Sequence, residues 1–199
     1  MQFKIRPYHP SDLTSLYKIC LLTGNSGKDA TELLCDPDLI GHLYVAPYAI
    51  FEPDVCFVIT NSEKPCGYII GTKDSQKFYQ RCEKDWFPTL RTRYPLAKGN
   101  DKSFNAMIIK RLHEGYKEKE ELRNYQAHLH IDILPIAQGQ GLGRKAMNIF
   151  IDKLKEFNIS ALHLEVGKKN HTGIKFYKKL GFHIIKEFEH SIAFGIKLK

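Results

Sequence analysis

A glycine-rich segment, residues 138–144, is the part of the sequence best suited to hold an anion. It reads Gln-Gly-Gln-Gly-Leu-Gly-Arg and runs directly into a segment with helical periodicity. Glycines let a backbone approach a ligand closely, and the first N–H groups of a helix lack internal partners and lie at the positive end of its dipole. The pattern therefore favours a phosphate-binding turn. The alternative is a tight connection whose glycines serve turn geometry alone.

Two other phosphate-binding loops do not fit this segment. The dinucleotide fingerprint requires a glycine at the position that Arg144 occupies. The P-loop requires Gly-Lys-Ser or Gly-Lys-Thr after a four-residue spacer, and that combination is missing from the sequence. The segment thus predicts an anion site of a different kind.

The elements that must position this loop follow from hydrophobic periodicity and turn residues. Strands are predicted at 3–6, 55–60, 66–72, 127–134, 160–166, 182–187 and 191–197. Helices are predicted at 13–21, 36–44 (ended by Pro47), 142–157 and 170–180. Residues 74–125 are too long for a bare loop, and we expect a helical insertion with one helix spanning Phe78–Phe87 and another at 104–113. The order predicts a single α/β domain over residues 1–199.

Composition excludes several classes of protein. The chain is 43% hydrophobic and 26% charged, which is typical of a globular protein. No apolar run approaches the ~20 residues that a membrane span needs, and the charged start lacks a signal-peptide core, so we expect a cytoplasmic protein with no membrane partner. The charge of +8 is spread out without interleaved aromatics, so we expect no nucleic acid partner. The five cysteines lack metal-ligand spacing and are expected to be small buried hydrophobes; no metal is predicted.

Two segments together resemble the signatures of the GNAT acetyltransferase superfamily. Residues 133–143 resemble its acyl-CoA-binding segment, in which an apolar strand end precedes Gln or Arg, then Gly, any residue, Gly, any residue, and Gly or Ala. Residues 170–182 (Asn-His-Thr-Gly-Ile-Lys-Phe-Tyr-Lys-Lys-Leu-Gly-Phe) resemble the second signature at the expected distance downstream. The resemblance implies a mixed, mostly antiparallel sheet splayed between its fourth and fifth strands, with helices on both faces.

The resemblance also implies a cofactor and a reaction. The chain would bind acetyl-CoA and transfer the acetyl group directly to a primary amine of a small molecule, an amino sugar or a peptide. Pantetheine would pair with the strand backbone near Ile133 and Leu134, and the pyrophosphate would lie on the amides of the glycine loop. The implied cofactor-binding residues are Ile133, Leu134, Gln138, Gly139, Gln140, Gly141, Leu142, Gly143, Arg144, Asn170 and Tyr177.

Two proton transfers remain to be assigned. Tyr177 occupies the family position of the acid that serves the thiolate leaving group; a core tyrosine on an amphipathic helix is the alternative. Asp132, with His130 on the same strand face, and Glu165 on the next strand are candidates for the base that deprotonates the amine. A solvated or hydrogen-bonded side chain is the alternative for each. Asn170 is either a plain helix cap or a cap that also contacts the cofactor.

A finer resemblance concerns residues 27–48, which look similar to the acetyltransferase-like domain of O-GlcNAc hydrolases and its free-standing bacterial relatives. Some members of that group lack acetyl-CoA binding, so a catalytically inactive module that binds a protein or glycan partner is the alternative function. The sequence does not decide the oligomeric state, and a homodimer is one of the alternatives. Acceptor recognition is expected from residues 36–48 and 74–125; the candidate contacts are Asp36, Asp38, Tyr79, Trp86 and Tyr94.

Overall fold

A computed structural model describes residues 2–97 and 99–198, and its strands form one seven-stranded sheet in the order β1-β2-β3-β4-β5-β7-β6. The strands are β1 (Phe3–Pro7), β2 (Phe57–Asn61), β3 (Lys64–Thr72), β4 (Ala127–Ile133), β5 (Ala161–Gly167), β6 (His183–Glu187) and β7 (Ser191–Lys197). The helices are α1 (Leu13–Thr23), α2 (Leu39–Tyr44), α3 (Ala46–Phe51), α4 (Ser75–Asp85), α5 (Phe87–Arg93), α6 (Phe104–Glu114), α7 (Leu142–Glu156) and α8 (His171–Lys179). The described residues of segment 74–125 thus contain three α-helices.

The sheet is split between its fourth and fifth strands. β4 pairs with β3 in antiparallel register from His128 to Ile133, which is all of the strand except its first residue. Its parallel pairing with β5 is confined to Ala127–Leu162 and His128–His163, although both strands continue beyond these pairs. All other neighbouring strands are antiparallel. The predicted mixed sheet, splayed between the fourth and fifth strands, is confirmed.

Strand alternation divides the interior into two cores, one on each face of the sheet. On β4, Leu129 and Ile131 pack with α7 and α8 on one face. Residues of α1 to α6 cover the other face, where His128, His130 and Asp132 point. The residues with catalytic potential on β4 therefore share the face that the inserted helices cover.

Two helix predictions were wrong in detail, and each error lies beside a proline. Pro47 lies in the first turn of α3, where its missing N–H is not needed and its fixed φ fits the helix. Pro88 lies likewise in the first turn of α5. The single helix expected over Phe78–Phe87 is therefore two helices, which meet at Trp86.

The cysteines are all free, and four of them are buried as expected. Cys35 is exposed, which corrects that expectation: it lies in the connection before α2, and its N–H donates to Asn105 Oδ1 at 3.0 Å. Within residues 2–97 and 99–198, no helix is both long enough and apolar enough to cross a bilayer.

Candidate active site

The glycine loop presents a continuous row of backbone donors. Gly139 and Gly141 both have φ of +74°, a left-handed conformation that glycine adopts without strain. The N–H groups of residues 139–144 find no acceptor among the described residues, and the first N–H bonded inside α7 is that of Lys145. We call residues 139–144 the donor row. Because these N–H groups also lie at the start of a 15-residue helix, the row is suited to an anion.

Two glutamine side chains hold the shape of this loop. Gln138 Nε2 donates to the carbonyl of Ile133 at 2.7 Å, and Gln140 Nε2 donates to the carbonyl of Ile136 at 3.1 Å. Both amides therefore satisfy carbonyls of the loop and of the strand end before it. Their contribution to any ligand is to fix the backbone that carries the donor row.

The end of β4 exposes backbone groups toward the gap that separates it from β5. The N–H of Leu134 donates to Cys66 and its carbonyl accepts from Ala137, both at 2.9 Å, so the backbone of Leu134 is fully used. Backbone direction alternates along a strand. The groups of Ile131 and Ile133 therefore point away from β3 and into the gap, where β5 no longer pairs with them. A ligand in the gap meets Ile131 and Ile133, and Leu134 offers it only a side chain.

The first residues of α7 combine close packing against the core and α8 with an exposed positive charge. Leu142 is buried in the core, so it offers a ligand its N–H rather than its side chain. A Cβ at Gly143 would lie 3.2 Å from the ring of Phe176 on α8, which explains a glycine there by close helix packing. Arg144 is exposed, and its Nη2 lies 3.4 Å from the carbonyl of Lys179. Its guanidinium places a positive charge beside the donor row.

Helix α8 supplies the two predicted residues on the far side of the gap. Asn170 caps this helix, because its Oδ1 accepts from the N–H of Gly173 at 2.9 Å. Tyr177 is 8% exposed and packs its ring near Phe182 and Phe194. Its hydroxyl has no hydrogen-bond partner within residues 2–97 and 99–198. Burial, with a contribution from the charge of Asp132, raises the pKa of Tyr177, so its phenol stays protonated and able to donate.

Asp132 is the candidate carboxylate with the stronger basicity. Its Oδ2 accepts from the fully buried Tyr68 Oη at 2.5 Å. Burial raises the pKa of Asp132, and the hydrogen bond from Tyr68, together with the nearby hydroxyl of Thr23, offsets only part of that rise. A carboxylate with a raised pKa is the better proton acceptor near neutral pH.

Glu165 has the opposite electrostatic setting. Lys119 Nζ lies 2.6 and 2.7 Å from its two carboxylate oxygens, and Ser191 Oγ donates to Oε2 at 2.8 Å. Burial acts to raise the pKa of Glu165, but the bonds and charge of Lys119, together with Ser191, leave it lowered. Glu165 therefore stays ionised, and its chemistry is to hold a cation rather than to take up a proton.

A hydrogen-bonded chain of aromatic side chains lies beside these carboxylates, and sequence reasoning missed most of it. Tyr48 Oη lies 2.8 Å from His128 Nε2 and 3.1 Å from His130 Nε2, and Ser75 Oγ lies 2.7 Å from His128 Nδ1. Burial, with the nearby charge of Arg111, lowers the pKa of His130 to about 4. Burial lowers the pKa of His128 well below its ordinary value. Both imidazoles are therefore neutral at pH 7. The sequence showed that the two histidines share one face of β4. Tyr48 lies in the segment 36–48 that was expected to recognise an acceptor, but nothing in the sequence linked it to these histidines.

Among the residues expected to recognise an acceptor, three hold the fold together. Asp36 accepts from Tyr94 Oη at 2.7 Å and from Arg93 at 3.0 Å, and Trp86 Nε1 donates to the carbonyl of His42 at 2.8 Å. Asp38 is exposed. Tyr79 differs from these residues, because it lines a cleft of about 410 Å³ on the face of the sheet that the inserted helices cover. The same cleft is lined by Lys119, His163 and Glu165.

Comparison with known proteins agrees with this geometry. The sequence model of the acetyltransferase (GNAT) family matches residues 28–182. The protein O-GlcNAcase of Rattus norvegicus is 29% identical over 190 residues, which are 94% of this chain and 21% of that protein. The chain thus spans about a fifth of the length of the curated relatives that it matches.

Solved structures give the same result. The crystal structure of SsHAT is 31% identical and superposes over 100% of both chains with a TM-score of 0.90. The paiA N-acetyltransferase from Thermoplasma acidophilum, solved in complex with coenzyme A, shares the fold at 14% identity and a TM-score of 0.59, with 99% of each chain covered. The family match over most of the chain, the SsHAT likeness and the split sheet lead to one conclusion: the chain belongs to the GNAT acetyltransferase family.

Proposed function

We propose that this chain binds acetyl-CoA and transfers its acetyl group directly to a primary amine. The observation that carries the proposal is the donor row of residues 139–144, whose N–H groups have no acceptor in the described part of the chain. Residues 134–138 connect this row to the end of β4, whose edge toward β5 is unpaired beyond His128. A ligand with a phosphate group at one end and an extended amide-containing arm at the other fits these two features together.

The residues present suit this cofactor. The left-handed Gly139 and Gly141 keep the donor row open, and Arg144 adds a positive charge beside it. The N–H and carbonyl of Ile131 and the N–H of Ile133 are not paired with β5 and can pair with the amides of a pantetheine arm, in the manner of an added strand. The carbonyl of Ile133 already accepts from Gln138. Acetyl-CoA supplies an activated acetyl thioester when bound. Asn170 and Tyr177 border the gap from α8.

The proton transfers follow from the electrostatics of the side chains. Asp132, with its raised pKa, takes a proton from the acceptor amine, directly or through one water. Tyr177, protonated throughout the neutral range, donates a hydrogen bond to the sulfur that leaves. Glu165 stays ionised and attracts the cationic form of the amine. The chain therefore binds a cationic acceptor on one carboxylate and deprotonates it with another.

The match to the acetyltransferase family supports acetyl transfer more than a purely structural role. SsHAT matches the entire chain, and the paiA N-acetyltransferase was solved with coenzyme A. The alternative, an inactive module that binds a protein or glycan, draws on the likeness to O-GlcNAcase. It is less favoured, because a module that binds no acetyl-CoA does not require an open donor row with two left-handed glycines.

Isothermal titration of the purified protein with acetyl-CoA tests the proposal, with CoA and NADH as comparison ligands. We expect acetyl-CoA to bind in the micromolar range and NADH not to bind. A panel of amines (polyamines, amino sugars and lysine peptides) then follows release of the CoA thiol. A protein that binds no acetyl-CoA would refute the proposal and move the search to protein and glycan partners.

A pair of glycine variants shows whether the donor row is the binding site. Gly141→Glu places a bulky acid at a left-handed position in the row and should abolish acetyl-CoA binding by charge repulsion and backbone strain. Gly99→Glu is the matched control: Gly99 has φ of +82° with open space around it, and it lies in the connection between α5 and α6. Equal affinities for acetyl-CoA in the two folded variants would contradict the assignment.

A further inference from the structure

The ion pair between Lys119 and Glu165 is built like a binding site for a primary ammonium. Both oxygens of Glu165 contact Lys119 Nζ, at 2.6 and 2.7 Å, and Ser191 fixes one of these oxygens from β7. The face of the Phe188 ring lies 3.9 Å from the same Nζ. A carboxylate and an aromatic face are the two groups that bind an alkylammonium best. We call Glu165, Phe188 and Ser191 the ammonium cage.

The cage lies where the sheet splits. Pairing between β4 and β5 ends at His128 and His163. Two residues further along each strand, on the same face, stand His130 and Glu165, one on each side of the opening gap. The cage therefore borders the gap in which we propose that the acetyl-CoA arm lies.

The ammonium cage is built mainly on strands, whereas Lys119, which occupies it, lies in an irregular segment. Glu165 and Ser191 lie on strands β5 and β7, and Phe188 lies in the turn before β7. Lys119 comes from the irregular segment between α6 and the short turn Glu120–Leu122. Its side chain is still 32% exposed at the edge of the cleft. A fixed cage thus holds an amine that a less regular segment delivers.

We propose that Lys119 occupies the place of the acceptor amine and is itself acetylated in cis when acetyl-CoA is bound and no acceptor is present. This inference rests on the proposed function and names its substrate class: a primary ammonium on a flexible alkyl stem, of the kind that Lys119 mimics. An external acceptor must displace Lys119 from Glu165. Holding the amine beside the thioester makes the reaction effectively unimolecular.

The chemical step balances without a further reactant. A C–N bond forms between Lys119 Nζ and the acetyl carbon, and the C–S bond breaks. Of the two protons that the ammonium loses, one passes to the sulfur, which leaves as a thiol, and the other passes to solvent. The product is a neutral amide, which no longer forms an ion pair with Glu165.

Lys153 provides an internal control for unspecific acetylation. It too is 32% exposed, its Nζ lies 2.7 Å from Glu156, and the ring of Phe157 lies 5.2 Å away. It therefore matches Lys119 in exposure, carboxylate partner and aromatic neighbour. It differs in place, because it lies on α7, outside the split between β4 and β5.

The experiment incubates the full chain with acetyl-CoA in the absence of any added amine and follows acetylation of each lysine by mass spectrometry. We expect Lys119 to be acetylated at least about tenfold faster than Lys153, at a rate that does not change when the protein is diluted. A Lys119 rate equal to that of Lys153, in protein that binds acetyl-CoA by calorimetry, overturns the inference. A rate that falls on dilution overturns the cis reaction. Absence of calorimetric binding is a separate result, which refutes the proposed function and this inference with it.

A pair of carboxylate variants tests the cage. Glu165→Gln keeps the size of the side chain and removes its charge; acetylation of Lys119 should fall to the level of Lys153 while the affinity for acetyl-CoA stays the same. Glu156→Gln removes the partner of Lys153 and should leave acetylation of Lys119 unchanged. Undiminished acetylation of Lys119 in Glu165→Gln would show that the cage does not position the amine and would overturn the inference.

Discussion

Gln138 and Ile133 are joined by a hydrogen bond of 2.7 Å from the side-chain amide of the first to the carbonyl of the second. This bond ties the glycine loop to the end of β4, so it holds the donor row in place relative to the end of that strand. A cofactor that uses both features benefits from having them fixed before it binds.

Gln138→Ala should therefore weaken acetyl-CoA binding by about two- to tenfold, which corresponds to the loss of one ordinary hydrogen bond. Calorimetric Kd values measure the effect. Gln140→Ala is the comparison, because Gln140 bonds within the loop, to Ile136, and not to β4. Equal losses of affinity in both variants would mean that the tie to β4 has no special role.

Tyr177→Phe should lower kcat by about 10²-fold, the usual contribution of a positioned acid, and leave the Kd for acetyl-CoA nearly unchanged. The phenol is held protonated by burial, and its hydroxyl has no partner among the described residues, so it is available to the leaving sulfur. Release of the CoA thiol with the best amine of the panel measures kcat.

The matched control is Tyr8→Phe, since Tyr8 is a partly buried tyrosine just after β1. Its kcat should equal that of the unaltered protein. Full activity in Tyr177→Phe would leave Tyr177 as a packing residue, which is the alternative that the helix pattern allowed.

Local chemistry made a good part of this site predictable. The glycines of the donor row and the Asn170 cap act through neighbouring backbone, so their spacing in the sequence carries the information. The pairing of Tyr48 with His128 joins residues 80 positions apart. The pairing of Lys119 with Glu165 joins residues 46 positions apart. Such pairs depend on how helices cross the sheet, which periodicity does not specify.

The prolines show that helix boundaries, too, are only partly predictable from the sequence. Pro47 and Pro88 stand at helix starts, but the sequence alone does not distinguish a proline that ends one helix from a proline that begins the next. The short helices α2 and α3 are separated only by Val45, so the chain changes direction without a loop that composition would reveal.

The buried histidines should make the fold sensitive to mild acid. The pKa values of three histidines are lowered, mainly by burial: His128, His130 and His163. As the pH falls, the unfolded chain therefore binds protons at these histidines before the folded chain does. Stability is then full above the unfolded pKa of about 6.5 and falls as the pH drops toward the folded values. Each such histidine contributes a slope of about 1.4 kcal/mol per pH unit within its window.

His130→Gln should reduce that slope by about one proton between pH 6.5 and the folded pKa of about 4. Urea unfolding at a series of pH values measures the free energy of unfolding. His190→Gln, at a histidine whose side chain is 87% exposed, is the comparison variant. The same slope in both variants would show that His130 is not held neutral by the fold.

The pH dependence of acetyl transfer should identify the base. Asp132 is inactive when protonated, and its pKa is raised by burial, so kcat/KM should fall as the pH drops through a pKa above the ordinary aspartate value. Asp132→Asn should remove this acid limb and lower the rate across the whole range. Glu165 has a lowered pKa, so Glu165→Gln should raise the KM for the amine and leave the position of the limb unchanged. The group whose removal abolishes the acid limb is the group that accepts the proton. An acid limb that persists in Asp132→Asn and disappears in Glu165→Gln would therefore make Glu165 the base and contradict the assignment of Asp132.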